Sequence, residues 1–133
     1  YAIDIQKDLL RRIKNDADRR GLHNVDIIWA DLEELGGSRI ADHAVDVVLI
    51  SNLLFQLPDK QPIFLEAARI LKPAGRLAVI DWTESFGGLG PQAEDVVPPS
   101  TTISLAKAAQ FEINHEFKAG AHHYGIIFTG KTS

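Results

Sequence analysis

The chain has 133 residues, 45% of them hydrophobic, which is enough for one domain with a sizeable core and too few for two ordinary ones. Its 18 acidic and 14 basic residues leave a formal charge of -4 and no basic stripe for a nucleic acid to use. The lack of cysteine removes disulfide and thiolate-zinc chemistry and fits a reducing, cytoplasmic compartment, and no apolar run approaches the roughly 20 residues of a membrane-spanning helix.

Tyr1 to Asp4 is a short apolar stretch closed by an acid, and it predicts a strand at the very start of an N-terminally truncated domain. Leu9, Leu10, Ile13 and Ala17 then fall at helical spacing up to Gly21. Val25 to Trp29 predicts a second strand, with Asp31 just beyond it, and Leu32 to Asp42, containing Gly36-Gly37, reads as a loop. Val45 to Ile50 is nearly all apolar and β-branched, the pattern of a central strand buried on both faces.

After a turn at Ser51-Asn52, a helix capped by Asp59 presents Phe64, Ala67, Ala68 and Leu71 on one face and stops at Pro73 and Gly75. Arg76 to Trp82 is the next strand, and the glycines and prolines of Thr83 to Pro99 predict a loop that could act as a lid. Ser100 caps a short helix reaching Gln110, and Phe111 to Lys118 and His123 to Thr129 form a hairpin around Ala119-Gly120-Ala121. The order β-α-β-β-α-β-α-β-β predicts a single α/β domain over residues 1–133. Its mostly parallel sheet is covered on both faces and closed by an antiparallel hairpin.

In such sheets ligands bind outside the carboxyl ends of the strands, where Asp4, Asp31 and Ser51-Asn52 fall. An ionised carboxylate is acceptor-only, which suits a diol or an exocyclic amine; each acid could equally cap the segment after it. His122 and His123 are adjacent in a strand and point to opposite faces, so they do not share a ligand. Trp29 and Trp82, at strand ends, suit either a pocket wall or the core. Gly87-Gly88-Leu89-Gly90 follows a strand but precedes Pro91 rather than a helix, which argues against a cofactor loop. Asp81, Glu84 and His115 are the candidate bases, should an acceptor need to lose a proton.

Four stretches carry a resemblance. They are Tyr1 to Ile5, Trp29-Ala30-Asp31-Leu32, the run from Val45 to Asp81 with Ala67-Ala68-Arg69-Ile70-Leu71-Lys72-Pro73-Ala74-Gly75 inside it, and Ala106 to Glu112 followed by His123-Tyr124-Gly125. On these the chain resembles class I S-adenosylmethionine-dependent methyltransferases, most closely the small-molecule branch that includes the ubiquinone and menaquinone biosynthesis methyltransferases. The resemblance implies a Rossmann-like three-layer sandwich, S-adenosylmethionine as cofactor and a small-molecule methyl acceptor. It implies that Asp4 receives the ribose hydroxyls and Asp31 the adenine amino group, with Ile5, Leu32, Ser51 and Asn52 completing the cofactor site. It designates no catalytic residue.

Two departures accompany it. Gln110 stands where the family usually has a glycine between helix and strand. The family's first strand and Gly-x-Gly-x-Gly loop lie upstream of the residue matching Tyr1, and nothing in this chain supplies them. That strand lies between those of Tyr1–Asp4 and Val45–Ile50 in the family, so two edges are expected unpaired and the sheet rearranged, dimeric or otherwise oligomeric. Two other readings follow: a catalytically incompetent methyltransferase-like module that associates through these edges, and a dinucleotide-binding oxidoreductase, whose nicotinamide ribose also suits an acid at the end of the second strand.

Overall fold

A computed structural model describes residues 1–130. Its elements are β1 (Ala2–Asp4), α1 (Lys7–Arg19), β2 (Ile27–Trp29), β3 (Val45–Ser51), α2 (Gln61–Ile70), β4 (Leu71–Trp82), α3 (Pro99–Ala108), β5 (Phe111–Gly120) and β6 (His123–Gly130). Single 3-10 turns occur at Leu54–Gln56 and Ala93–Asp95. The expected element order holds throughout.

The sheet is in two pieces. β1 pairs only with β2, in parallel, while the other four strands follow the order β3-β4-β6-β5. Within that sheet β3 and β4 run parallel, and β6 runs antiparallel to both β4 and β5, the expected closing hairpin. As expected, the facing edges of β1 and β3 have no pairing partner among the described residues.

The core lies on the larger sheet, where Leu54, Phe64, Leu77, Val79, Ile126 and Phe128 are buried together under α2 and α3. Each such side chain contributes about 1.5–3 kcal/mol by leaving water. α1 has its own small contact set, with Leu10 and Ala17 buried. The apolar run of β3 is only half covered. Ile50 is buried, whereas Val47 and Leu49, on alternate positions, are 62% and 60% exposed.

Some boundaries differ from the sequence reading. α2 ends at Ile70, and Leu71 already pairs with Val45, after which Lys72 to Gly75 bulge out and the ladder resumes at Arg76 opposite Val47. The bulge needs glycine: a Cβ on Gly75 would lie 2.9 Å from the Lys72 carbonyl oxygen and 3.0 Å from that of Asp46. The cap residues also shift by one or two positions. Lys60 rather than Asp59 is the N-cap of α2, although Asp59 still accepts from the Gln61 amide at 3.3 Å, and α3 starts from Pro98 rather than Ser100.

Gln110 follows the C-cap of α3 at a φ of 70°, in the left-handed region. A side chain there costs about 1–2 kcal/mol and glycine is the usual occupant. Gln110→Gly should therefore stabilise the fold by about 1 kcal/mol after its own unfolded-state entropy is counted. A raised urea midpoint at constant m-value is the expected readout, and an unchanged or lower midpoint would count against it.

Candidate functional site

A cavity of about 610 Å3 lies between the two sheets. It has a polar end and an apolar body. Asp4, Ile5, Asp31, Leu32, Ser51 and Asn52 all line it, so the structure brings together every residue the sequence marked for cofactor binding. The body is walled by β1 and β3 and backed by α2 through Ile63, Ala67 and Ile70.

Each acid at the polar end does two things. Asp4 Oδ1 accepts from the Gln6 amide at 2.8 Å, and Asp31 Oδ1 accepts from the Glu33 amide at 2.9 Å. The local capping role and a ligand role therefore coexist, since each carboxylate commits one oxygen to the backbone and has a second with acceptor capacity. Asn52 adopts a left-handed φ of 55°, a conformation asparagine tolerates. Its amide donates to the Ile80 carbonyl at 2.9 Å, and its own carbonyl accepts from Gln56 Nε2 at 2.8 Å.

Asp81 supports that turn from beneath. It is fully buried, and its two oxygens accept from the Leu54 amide at 3.1 Å and the Trp82 amide at 2.8 Å. Burial raises its carboxyl above the ordinary range, with the amides of Trp82 and Leu54 and the neighbouring His123 pulling the other way. A carboxyl so enclosed shapes the segment after Asn52 and is in no position to take a proton from a substrate.

The other candidate bases do not line the cavity either. Glu84 is paired with His122 Nδ1 at 2.9 Å under the stacked ring of Phe86, and His115 sits on the outer strand β5 against Phe117. His122 and His123 do part company: His123 lies against Trp82, with ring centroids 4.2 Å apart. Trp29 neither walls the cavity nor fills the core, being 48% exposed with Nε1 donating to the Ile5 carbonyl at 2.7 Å. The glycines of 87–90 make a tight turn between Phe86 and Leu89 and do not reach the cavity.

What the sequence reading missed is how the loop after Asp31 is held. Glu66 of α2 is 2% exposed. Its carboxylate accepts from the Gly36 amide at 2.7 Å, the Ser38 amide at 3.0 Å, Ser38 Oγ at 2.6 Å, and Arg69 Nε and Nη2 at 2.8 Å each. Arg69 Nη1 reaches on to Asp42 at 2.6 Å. Burial alone would raise the Glu66 carboxyl, but the bonds from Arg69, Ser38 and Gly36 outweigh it and hold it at about 2. The only sequence signal was the spacing of Glu66 and Arg69, three apart on one helix.

The model of a family described as a methyltransferase domain matches residues 1–124. The chain belongs to this methyltransferase family. It is 28% identical over 109 residues to an arsenite methyltransferase of Halobacterium salinarum, covering 80% of this chain and 26% of that protein. It is 32% identical over 82 residues to a demethylmenaquinone methyltransferase of Listeria welshimeri, covering 62% of this chain and 34% of that protein. The methyltransferase chain thus spans about a quarter to a third of the length of these curated relatives. A SAM-dependent methyltransferase structure from Aquifex aeolicus superposes with a TM-score of 0.84 at 23% identity, over 96% of this chain and 66% of that one. The fold is the Rossmann-like methyltransferase fold, whose cofactor is S-adenosylmethionine.

The cavity's donor set suits one part of that cofactor. Two acceptor-rich carboxylates beside Ile5 and Leu32 fit the diol, amine and flat ring of an adenosine. No lysine, arginine or histidine lines the cavity among the described residues, so the methionyl carboxylate meets no cation there.

Glu66 makes the hub pH-dependent in one direction. Its carboxyl has an ordinary value of 4.5 and is held at about 2, so the stabilisation is complete above the higher value and is lost as pH falls towards the lower. The shift corresponds to about 3 kcal/mol. Glu66→Gln should lose a comparable amount at pH 7 and show a flatter stability profile in acid, measured by urea unfolding across pH. Parallel acid profiles for the two proteins would remove Glu66 from this role.

Proposed function

We propose that this chain is the adenosine-holding part of a domain that transfers a methyl group from S-adenosylmethionine to a small molecule. The observation that carries the reading is the meeting of Asp4, Asp31 and the Ser51-Asn52 turn around one cavity at the carboxyl ends of three strands. Asp4 would accept from the ribose hydroxyls and Asp31 from the adenine amine. Ile5 and Leu32 would flank the ring, and Ser51 and Asn52 would close the site from β3.

When bound, the cofactor supplies an electrophilic methyl group on a sulfonium. The chain's contribution is to fix the nucleoside, because in-line transfer between held reactants gains chiefly from positioning. No side chain of this chain is assigned as base. The names of the arsenite and demethylmenaquinone relatives support a small acceptor, and so does the shortness of the segment from Thr83 to Pro99. A cytoplasmic setting is supported by the cysteine-free composition. A second reading, self-association into a dimer through the sheet edges, has the exposed Val47 and Leu49 in its favour.

Adenosine and S-adenosylhomocysteine titrated into the chain, followed by backbone amide shifts, test the reading. Saturable binding with shifts at Asp4–Ile5 and Asp31–Leu32 is expected. Asp4→Asn or Asp31→Asn should weaken it about tenfold or more, the loss of one charge-assisted hydrogen bond. Binding unchanged by both substitutions, or equally strong binding of NAD, would contradict it and return the dinucleotide reading.

A further inference from the structure

Trp29 belongs neither to the cavity wall nor to the core, yet its bonds reach the backbone on both sides of the polar end. As the last residue of β2 it stands level with Asp4 in the parallel ladder, and Asp31 follows two residues later. Its carbonyl accepts from Nη2 of Arg39 at 3.2 Å, and Arg39 is the residue after the Ser38 that Glu66 binds. Its indole Nε1 donates to the Ile5 carbonyl at 2.7 Å.

Ile5 is the residue for which such a bond matters. It lies past the end of β1 and two residues before α1, so the regular hydrogen bonding of neither element covers its carbonyl. The Asp4 carbonyl accepts from the Ala30 amide at 3.1 Å, and the Gln6 amide donates to Asp4 Oδ1 at 2.8 Å. Those two bonds fix Asp4, and the indole fixes the peptide that follows Ile5. The Ile5 side chain lines the cavity but is 57% exposed. Packing therefore does little to aim it, and its direction follows the backbone.

The indole is itself held. Lys7 Nζ lies over its ring, 4.5 Å from the centroid, where the ammonium is attracted to the aromatic face. A ring left 48% exposed contributes little to a core. Its face is engaged by a cation and its N–H by a carbonyl, the use of a tryptophan that exploits its polar handle as well as its area.

On the adenosine reading of the cavity, on which this inference rests, Ile5 flanks the base. We propose that Trp29 is a positioning residue of that site: its indole N–H holds the Ile5 carbonyl and so keeps the Ile5 side chain turned towards the ring, without touching the ligand. Once released, the Ile5 peptide would spend part of its time in conformations that point the side chain elsewhere. The apparent affinity would then fall in proportion to the fraction that still presents it.

The test replaces Trp29 alone, by site-specific incorporation, with benzothienylalanine, which keeps the bicyclic ring beneath Lys7 and exchanges only the N–H for a sulfur. The expected results are lower amide order parameters at Ile5 and Gln6 in the ligand-free chain, and adenosine binding weakened about fivefold, the net worth of one neutral hydrogen bond. In an Ile5→Ala background no side chain remains to be aimed, and the same replacement should change adenosine affinity by less than about twofold. A general loosening of the fold would weaken both backgrounds alike. Equal losses in the two backgrounds, or full affinity once the N–H is gone, would overturn the positioning role and leave the cofactor reading intact. Failure of the unaltered chain to bind adenosine would remove the cofactor reading and this inference with it.

Discussion

The carboxylate of Glu66 is the fixed point of this molecule. Among the described residues the smaller unit, β1-α1-β2, shares no strand pairing with the larger one, and the chain between β2 and β3 joins them. That segment is anchored on α2: Glu66 gathers the Gly36 and Ser38 amides and Arg69, and the His43 and Ala44 amides donate to the Arg69 and Ile70 carbonyls at 3.0 and 2.8 Å. A buried carboxylate is tolerable only when its acceptor positions are filled, and here charge-assisted donors fill them.

The site inherits its geometry from that anchor. Asp4 and Asp31 stand on the smaller unit, Ser51 and Asn52 on the larger, and the segment pinned by Glu66 joins the two. Gly37 packs so closely on the Asp31 carbonyl that a Cβ there would lie 2.0 Å from its oxygen. Displacement of the pinned loop would therefore be felt at Asp31. On the other side Asp81 gives the turn after β3 a similar support through the Leu54 amide. Two buried acids thus hold two acids and a turn at the cavity.

Much of this was legible in the sequence because it is local. The apolar run of β3, the helical spacing in α1 and the alternating strands of the hairpin each fix an element within one window of residues. The clustering of Asp4, Asp31 and Asn52 was legible too, since strand ends in a parallel sheet converge. The roles of Glu66, Asp81 and Trp29 were not. Each depends on partners 24 to 30 residues away: Gly36 for Glu66, Leu54 for Asp81 and Ile5 for Trp29. The two unpaired edges were legible as well, as the consequence of a strand that the resemblance sets between β1 and β3.

Native-state hydrogen exchange on the 133-residue chain, resolved by residue, tests this division most directly. Amides of β4 and β6 should open only with global unfolding, whereas those of β1 and β2 should open together at a clearly lower free energy. A single opening free energy shared by all six strands would mean one cooperative sheet and would contradict the account of two units joined through Glu66.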